Sequence, residues 1–257
     1  CPCVRYEELT LLQQEMSYGA RARVTASARA DARLFPPMLA SIISSPLSLA
    51  SAPVSSPVGI FTADVCVGHD TGWFCPESSK RLETLLSALR DDWRSEFTTE
   101  ELQIFDLNVD ATDEQLQRVH TAAHIQTLAS AFDRAGGFLT PRVNLDSDTL
   151  VSPGSRAAAL RAAGLVTAAV DEVLSDASLL RRAFVMVRPP GHHAEPEAAM
   201  GFCLYNNVMV GVAHAQAVHG IRRVAILDFD VHLGNGCAAA CWNDPSRVYA
   251  SSHQQGL

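Results

Sequence analysis

Two stretches decide the fold. Ala183-Phe184-Val185-Met186-Val187 runs into Arg188-Pro189-Pro190-Gly191-His192-His193-Ala194, and Val224-Ala225-Ile226-Leu227 runs into Asp228-Phe229-Asp230-Val231-His232. Each opens with a short, unbroken apolar run, the pattern of a strand buried on both faces. Between them, from about Asn206 to Val218, the sequence reads as a helix, so the order is strand, helix, strand. Parallel strands joined by a helix predict an α/β domain, a parallel sheet with helices on both faces. Val58-Gly59-Ile60-Phe61 reads as another buried strand and Arg247 to Ser251 as a further one. Such sheets bind ligands at the carboxyl ends of their strands, which puts the two polar clusters on one rim.

Working outward, Pro76-Glu77 opens a helical stretch to Trp93, with Leu82, Leu85, Leu86 and Leu89 spaced three and four apart. Thr112 and Gln115 form a capping-box pattern ahead of one helix, whose apolar face includes Leu116, Val119, Ala123, Ile125 and Leu128. A third helix follows Ser152-Pro153 and runs through Ala157 to Leu174.

The chain has 257 residues, 47% hydrophobic, enough to bury a substantial core. Its 28 acidic and 20 basic residues give a formal charge of -8, which argues against a surface that neutralises nucleic-acid phosphates directly. No apolar run approaches the roughly 18 residues of a membrane span. Seven cysteines, at positions 1, 3, 66, 75, 203, 237 and 241, form no CxxC pair, which fits a reducing compartment. From Met16 to Pro57 the chain is rich in Ser, Ala, Arg and Pro, with Asp31 as its single acidic residue. We therefore expect a low-complexity leader over 1–57, with the composition of an organelle transit peptide, and a folded domain over 58–257. A first residue of Cys rather than Met leads us to expect a fragment or a processed chain.

The polar clusters carry the chemistry. Alternate side chains of an extended segment face the same way, so Asp230 and His232 can reach one metal ion while Asp228 stands in the layer behind. An oxygen and a nitrogen donor suit zinc, and a catalytic zinc takes three protein ligands, so a third must come from elsewhere. On residue chemistry alone His192 and His193 are open to two readings, as further ligands or as a general base and acid opposite the metal.

The segments RPPGHHAEPEAAMGFCLYNNV (Arg188 to Val208), RVAILDFDVHLGNG (Arg223 to Gly236) and HDTGW (His69 to Trp73) resemble the zinc-dependent histone deacetylase family, nearest its class II and bacterial branch. The resemblance spans about Val58 to Gln254 and implies the α/β fold shared with arginase, a parallel sheet in one domain. It implies that Asp230 and His232 are zinc ligands and that His192 and His193 are the tandem histidines beside the attacking water. Asp228 then stands behind His192 and Asn235 behind His193, each fixing a ring's orientation. Gly201 and Phe202 match the wall of the tunnel around an acylated lysine, and Asp148 the rim aspartate that grips the substrate backbone. Asp228, Ser251 and the backbone around His232 match a monovalent-cation site, which would hold potassium.

The function implied is removal of acetyl or related acyl groups from lysines of histones or other proteins, with chromatin regulation as its setting. The partner is an acetylated lysine peptide or histone tail, not nucleic acid or membrane. The family points to cytoplasm or nucleus, the leader to an organelle. Rival readings are a small-amide hydrolase acting on acetylpolyamines, a catalytically dead scaffold, and an arginase-like binuclear manganese hydrolase. Leu233, Phe74-Cys75 and Cys237-Ala238 depart from the family pattern. The chain also stops at Leu257, before the region where the family supplies its third zinc ligand, an aspartate, and an oxyanion tyrosine. None of Tyr6, Tyr18, Tyr205 and Tyr249 matches that tyrosine. We thus expect the domain to be incomplete at the C-terminus, with an open sheet edge and no activity by itself. Of the remaining histidines, 120, 124, 214 and 219 are expected on helices as non-ligands, and His69 and His253 near the rim, lining the site. Cys203 reads as small core filler.

Overall fold

A computed structural model describes residues 56–138 and 141–255, so the leader expected over 1–57 lies outside the described residues except for its last two positions. In chain order the strands are β1 (Val58–Thr62), β2 (Leu102–Asp106), β3 (Val143–Asn144), β4 (Leu150–Val151), β5 (Arg182–Met186), β6 (Val224–Asp228) and β7 (Arg247–Ser251). The helices are α1 (Ser79–Ala88), α2 (Asp113–Gln117), α3 (Ala122–Arg134), α4 (Ser155–Leu174), α5 (Asn207–His219) and α6 (Asn235–Cys241). A π turn, Leu89–Trp93, and a last α turn, Arg94–Glu96, prolong α1.

Strands β2, β1 and β5 form a parallel sheet in that order, with Ile60 opposite Ile104 on one side and Phe184 on the other. Alternation along β1 sends its side chains to two cores. Ile60 packs with Met186 against Leu82, Leu86 and Leu89 of the first helical segment and against Cys66. Phe61 stacks flat on Phe105, ring centroids 4.5 Å apart, over Ala169 of α4 and Leu180. Helices thus cover both faces of this sheet, as the apolar runs predict.

Strands β6 and β7 pair in parallel as a second sheet. Ile226, Val224 and Tyr249 pack on Met209 and Val212 of α5 and on Cys237 and Cys241 of α6. The opposite face leaves Leu227 and Val248 exposed. Among the described residues β5 pairs with β1 alone and β6 with β7 alone. Between the facing edges lies an apolar cavity of about 470 Å³, lined by Val185, Val187 and Val224 and by Val166 and Gly211 of the packed helices α4 and α5. No helix among the described residues is long and apolar enough to cross a membrane.

Two expectations need correction. The Thr112–Gln115 capping box closes in both directions, but the helix behind it ends at Gln117 and a second begins at Ala122. The break has a local cause: Thr121 caps the new helix by accepting the His124 amide, and the buried His120 ring bonds Glu195 O and the Asn206 amide, which draws the chain out of line. Strand β2 was not expected at all. Its sequence, Leu-Gln-Ile-Phe-Asp, sits between acidic segments and has no long apolar run, yet Ile104 and Phe105 supply one side chain to each core.

Three buried histidines set an acid limit on this fold. Burial holds the rings of His69 and His120 down to about 4, and it lowers His124 as well. These groups stay neutral when folded but accept protons near pH 6.5 when unfolded, so stability is full above about 6.5 and is lost as pH falls toward 4. Urea unfolding at pH 7.5 and 5.5 should show a drop of about 1 kcal/mol per deeply buried ring; equal midpoints at the two pH values would contradict it.

Candidate active site

The candidate site is assembled by one buried ion pair. Arg188 lies two residues past the end of β5, and its guanidinium forks onto the Glu77 carboxylate at 2.7 and 2.8 Å while also donating to the Glu77, His69 and Cys66 carbonyls. Both side chains are almost fully buried. Burial pushes the Glu77 carboxyl upward, and the fork pulls it back. The turn that follows Arg188 is thereby tied to the 66–77 loop, and it delivers His192 and His193 to the rim.

Each histidine is held from behind. His192 Nδ1 lies 3.0 Å from Asp228 Oδ2, and that oxygen also accepts the Tyr249 hydroxyl at 2.7 Å. Burial pushes Asp228 up, but the bonds from His192, Tyr249 and the Asp230 amide hold it below the usual carboxylate range. His193 Nδ1 lies 2.7 Å from Asn235 Oδ1. The Asn235 amide nitrogen donates to Glu195 Oε1 at 2.8 Å, which fixes the orientation of that amide and makes His193 Nδ1 the donor. Both rings therefore carry hydrogen on Nδ1 and turn a bare Nε2 outward. Burial and the neighbouring His192 and His232 keep His193 below its ordinary value, with the Asn235 bond opposing them.

Asp230 and His232 come together, though not by strand alternation. Strand β6 ends at Asp228, and Asp230 Oδ1 accepts the His232 backbone amide at 2.7 Å, a local turn that sets His232 Nδ1 3.2 Å from the same oxygen. Two ligands about 2 Å from a tetrahedral zinc stand roughly 3.3 Å apart, so this oxygen and nitrogen fit that ion. Among the described residues no third His, Cys, Asp or Glu joins them; the one three-residue group of potential ligands there is Asp171, His214 and His219, on α4 and α5.

An open cavity of about 720 Å³ unites the predicted residues. His192, His193, Asn235, Asp230, His232, Gly201, Phe202 and Asp148 all line it. Gly201 and Phe202 both have left-handed backbone, φ 55° and 65°. A side chain on Gly201 would overlap the His193 ring, and the Phe202 amide donates to Thr149 Oγ1, which itself donates to Asp148 Oδ1. Asp148 is not a helix cap, since Gly154 occupies that position in α4.

Other expectations fare differently. His69 does not line the cavity: it is 1% exposed and bonds Ser155 Oγ, while His253 bonds Ser251 Oγ away from the lining. Of the potassium expectation the structure shows only that Asp228 and Ser251 stand opposite each other at the ends of β6 and β7. Cys203 is buried, and burial raises its thiol to about 12, as core filler requires. Sequence reading missed Tyr249 and Gly234. The Gly234 amide donates to Tyr249 OH, and a side chain there would overlap Asp228 Oδ2 and lie 2.9 Å from His192 Nδ1. The inward position of Tyr249 on β7 was the available signal.

Residues 75–257 match the histone deacetylase domain. The chain belongs to the histone deacetylase family. It is 38% identical over 181 residues to the histone deacetylase-like amidohydrolase of Pseudomonas aeruginosa, covering 70% of this chain and 43% of that protein. It is 33% identical over 204 residues to the chloroplastic histone deacetylase 14 of Arabidopsis thaliana, covering 77% and 47%. The crystal structure of the HDA15 HD domain superimposes with a TM-score of 0.67 at 29% identity, over 77% of this chain and 55% of that one. The chain spans about half the length of the curated relatives it matches.

Two substitutions test this architecture. Glu77→Gln leaves the Arg188 charge buried without its partner and should cost about 3–5 kcal/mol in urea unfolding; a loss below about 1 kcal/mol would show that the fork is not what holds the rim. Gly234→Ala should displace His192 from Asp228 with little change in melting temperature, visible as loss of the hydrogen-bonded His192 Nδ1–H resonance in NMR.

Proposed function

We propose that this chain carries the proton-transfer half of a zinc-dependent deacylase that cleaves the amide of acetyl-lysine in proteins, histones among them. The observation that carries the reading is the cavity with two bare imidazole Nε2 atoms, one backed by a carboxylate and one by an amide, beside an oxygen and a nitrogen at zinc-ligand spacing. Zinc held by Asp230, His232 and a third ligand would polarise the acyl carbonyl and lower the pKa of a bound water.

The chain's own residues divide the remaining work. His193, kept neutral and oriented by Asn235, takes a proton from water at Nε2. His192 must first take up a proton from solvent at its bare Nε2, with the Asp228 carboxylate balancing the imidazolium charge; it gives that proton to the departing amine and returns to the neutral ring, while His193 releases its own proton to solvent. Phe202 and Gly201 flank the path of the lysine stem, and Asp148 at the mouth can accept hydrogen bonds from substrate backbone amides. The acidic balance of the chain favours a basic tail over an anionic ligand.

The test is a chimera in which this chain is followed by the C-terminal half of the Pseudomonas aeruginosa relative, its folding checked by thermal melt. Zinc-loaded chimera should release acetate from an acetyl-lysine peptide faster than from an acetylpolyamine. A chelator should abolish the reaction, and His193→Ala should lower kcat about 100- to 10,000-fold. Preference for the polyamine would move the substrate class to small amides. A folded chimera inert toward both substrates would favour a scaffold.

A further inference from the structure

At the other end of helix α5, away from the rim, three potential metal ligands converge. Helix α5 begins at Asn207 beside the site and carries His214 in its middle and His219 at its last position, roughly 18 Å along at 1.5 Å per residue. Asp171, in the last turn of α4, faces both. Each histidine Nε2 lies 2.6 Å from the same Asp171 Oδ1, and the rings stand at 66° with centroids 5.7 Å apart. The three atoms lie within 4.8 Å of one another. Tetrahedral ligands stand roughly 3.3 Å apart, so shifts of up to about 1 Å at each side chain would seat an ion among them.

We propose that Asp171, His214 and His219 form a second transition-metal site, separate from the Asp230 and His232 pair, that clamps α4 to α5. Two imidazole nitrogens and one carboxylate oxygen select zinc, cobalt, nickel or copper over magnesium and calcium, which prefer all-oxygen shells. Exposure grades across the cluster, 7% for the His214 side chain, 23% for His219 and 51% for Asp171, so the site has a buried floor and an open mouth where water completes the coordination. The ion would join the helix that underlies the first sheet to the helix that underlies the second, across the cavity between β5 and β6.

One neighbour tunes this site. Gln115 accepts the Thr112 amide with Oε1 as part of the capping box, which leaves its amide nitrogen toward His214 Nδ1 at 3.5 Å. Without metal, His214 keeps its hydrogen on Nε2, donates to Asp171 and leaves Nδ1 as an acceptor. On metal binding the hydrogen moves to Nδ1, where it meets a donor instead of an acceptor. Gln115 therefore weakens the site. Gln115→Glu would keep the capping box and supply a carboxylate behind the metal-bound ring, the arrangement that strengthens histidine ligands.

Cobalt titration of the 257-residue chain tests the proposal, with Asp230→Ala and His232→Ala present to remove the rim pair. We expect one saturable cobalt per chain with the intense visible band of tetrahedral coordination. His219→Gln or Asp171→Asn should weaken binding at least about 10-fold, and Gln115→Glu should tighten it by about 10-fold. In the chain with its rim pair intact, zinc should raise the melting temperature, and His219→Gln should abolish the part of the rise due to this site. No saturable band in the rim-pair variant, or equal affinity with and without His219, would overturn the proposal and leave the cluster as a hydrogen-bonded latch between the two helices.

Discussion

Everything at the rim depends on where Arg188 puts its charge. The residue lies just past the end of β5 with its side chain almost fully buried, so its guanidinium has no route to water. A buried charge is tolerated only when paired and fully hydrogen-bonded. Glu77 supplies the pair and three carbonyls take the remaining donors, all from the segment between Cys66 and Glu77. That segment therefore has one acceptable path, across the mouth of the turn that carries His192 and His193. Pro76 and Glu77 line the cavity as a consequence of this electrostatic requirement.

A second constraint runs through backbone too close for side chains. The loop after β6 must pass near enough to Asp228 for Tyr249, on β7, to reach the same carboxylate that holds His192. Gly234 allows it, because any Cβ would occupy the space of that carboxylate. The cavity-lining segment after His193 is tied in turn to the start of α3 and the turn before it: His124 bonds Leu204 O and His120 bonds the Asn206 amide, so the segment holding Gly201 and Phe202 is fixed at its far end by two rings. His120 must stay unprotonated at Nε2 to accept the Asn206 amide, and burial keeps it so.

Much of this was legible in the residues. Strands β1, β5 and β6 were readable because each is a short, unbroken apolar run, although only β1 is buried on both faces, and the capping box at Thr112 was readable because its two bonds are local. Strand β2 was not, since its apolar residues divide between two cores and its neighbours are acidic. The four rim residues Asp228, Asp230, His192 and His193 stood out as dense polar sequence at strand ends. The partners that orient them were harder to see: Tyr249 reads as an ordinary strand aromatic, and Gly234 as a turn, until the third dimension brings both to one oxygen. His69 misled for the reverse reason. It lies beside a family-like motif, but Ser155 draws it into the interior.

The asymmetry between the two rim histidines follows from their supports. Asn235 could turn either end of its amide toward His193, and Glu195 decides which: its carboxylate can only accept, so the amide nitrogen faces Glu195 and the oxygen faces the ring. His192 has no such neutral intermediary and meets the Asp228 carboxylate directly. Both rings consequently present the same bare nitrogen to the cavity while differing in how well a positive charge on them is balanced. A proton arriving on His192 meets a full countercharge at 3.0 Å, whereas one arriving on His193 meets only an amide dipole. Two imidazoles thus stand side by side, ring centroids 4.1 Å apart, distinguished by one carboxylate and one amide that the fold places behind them.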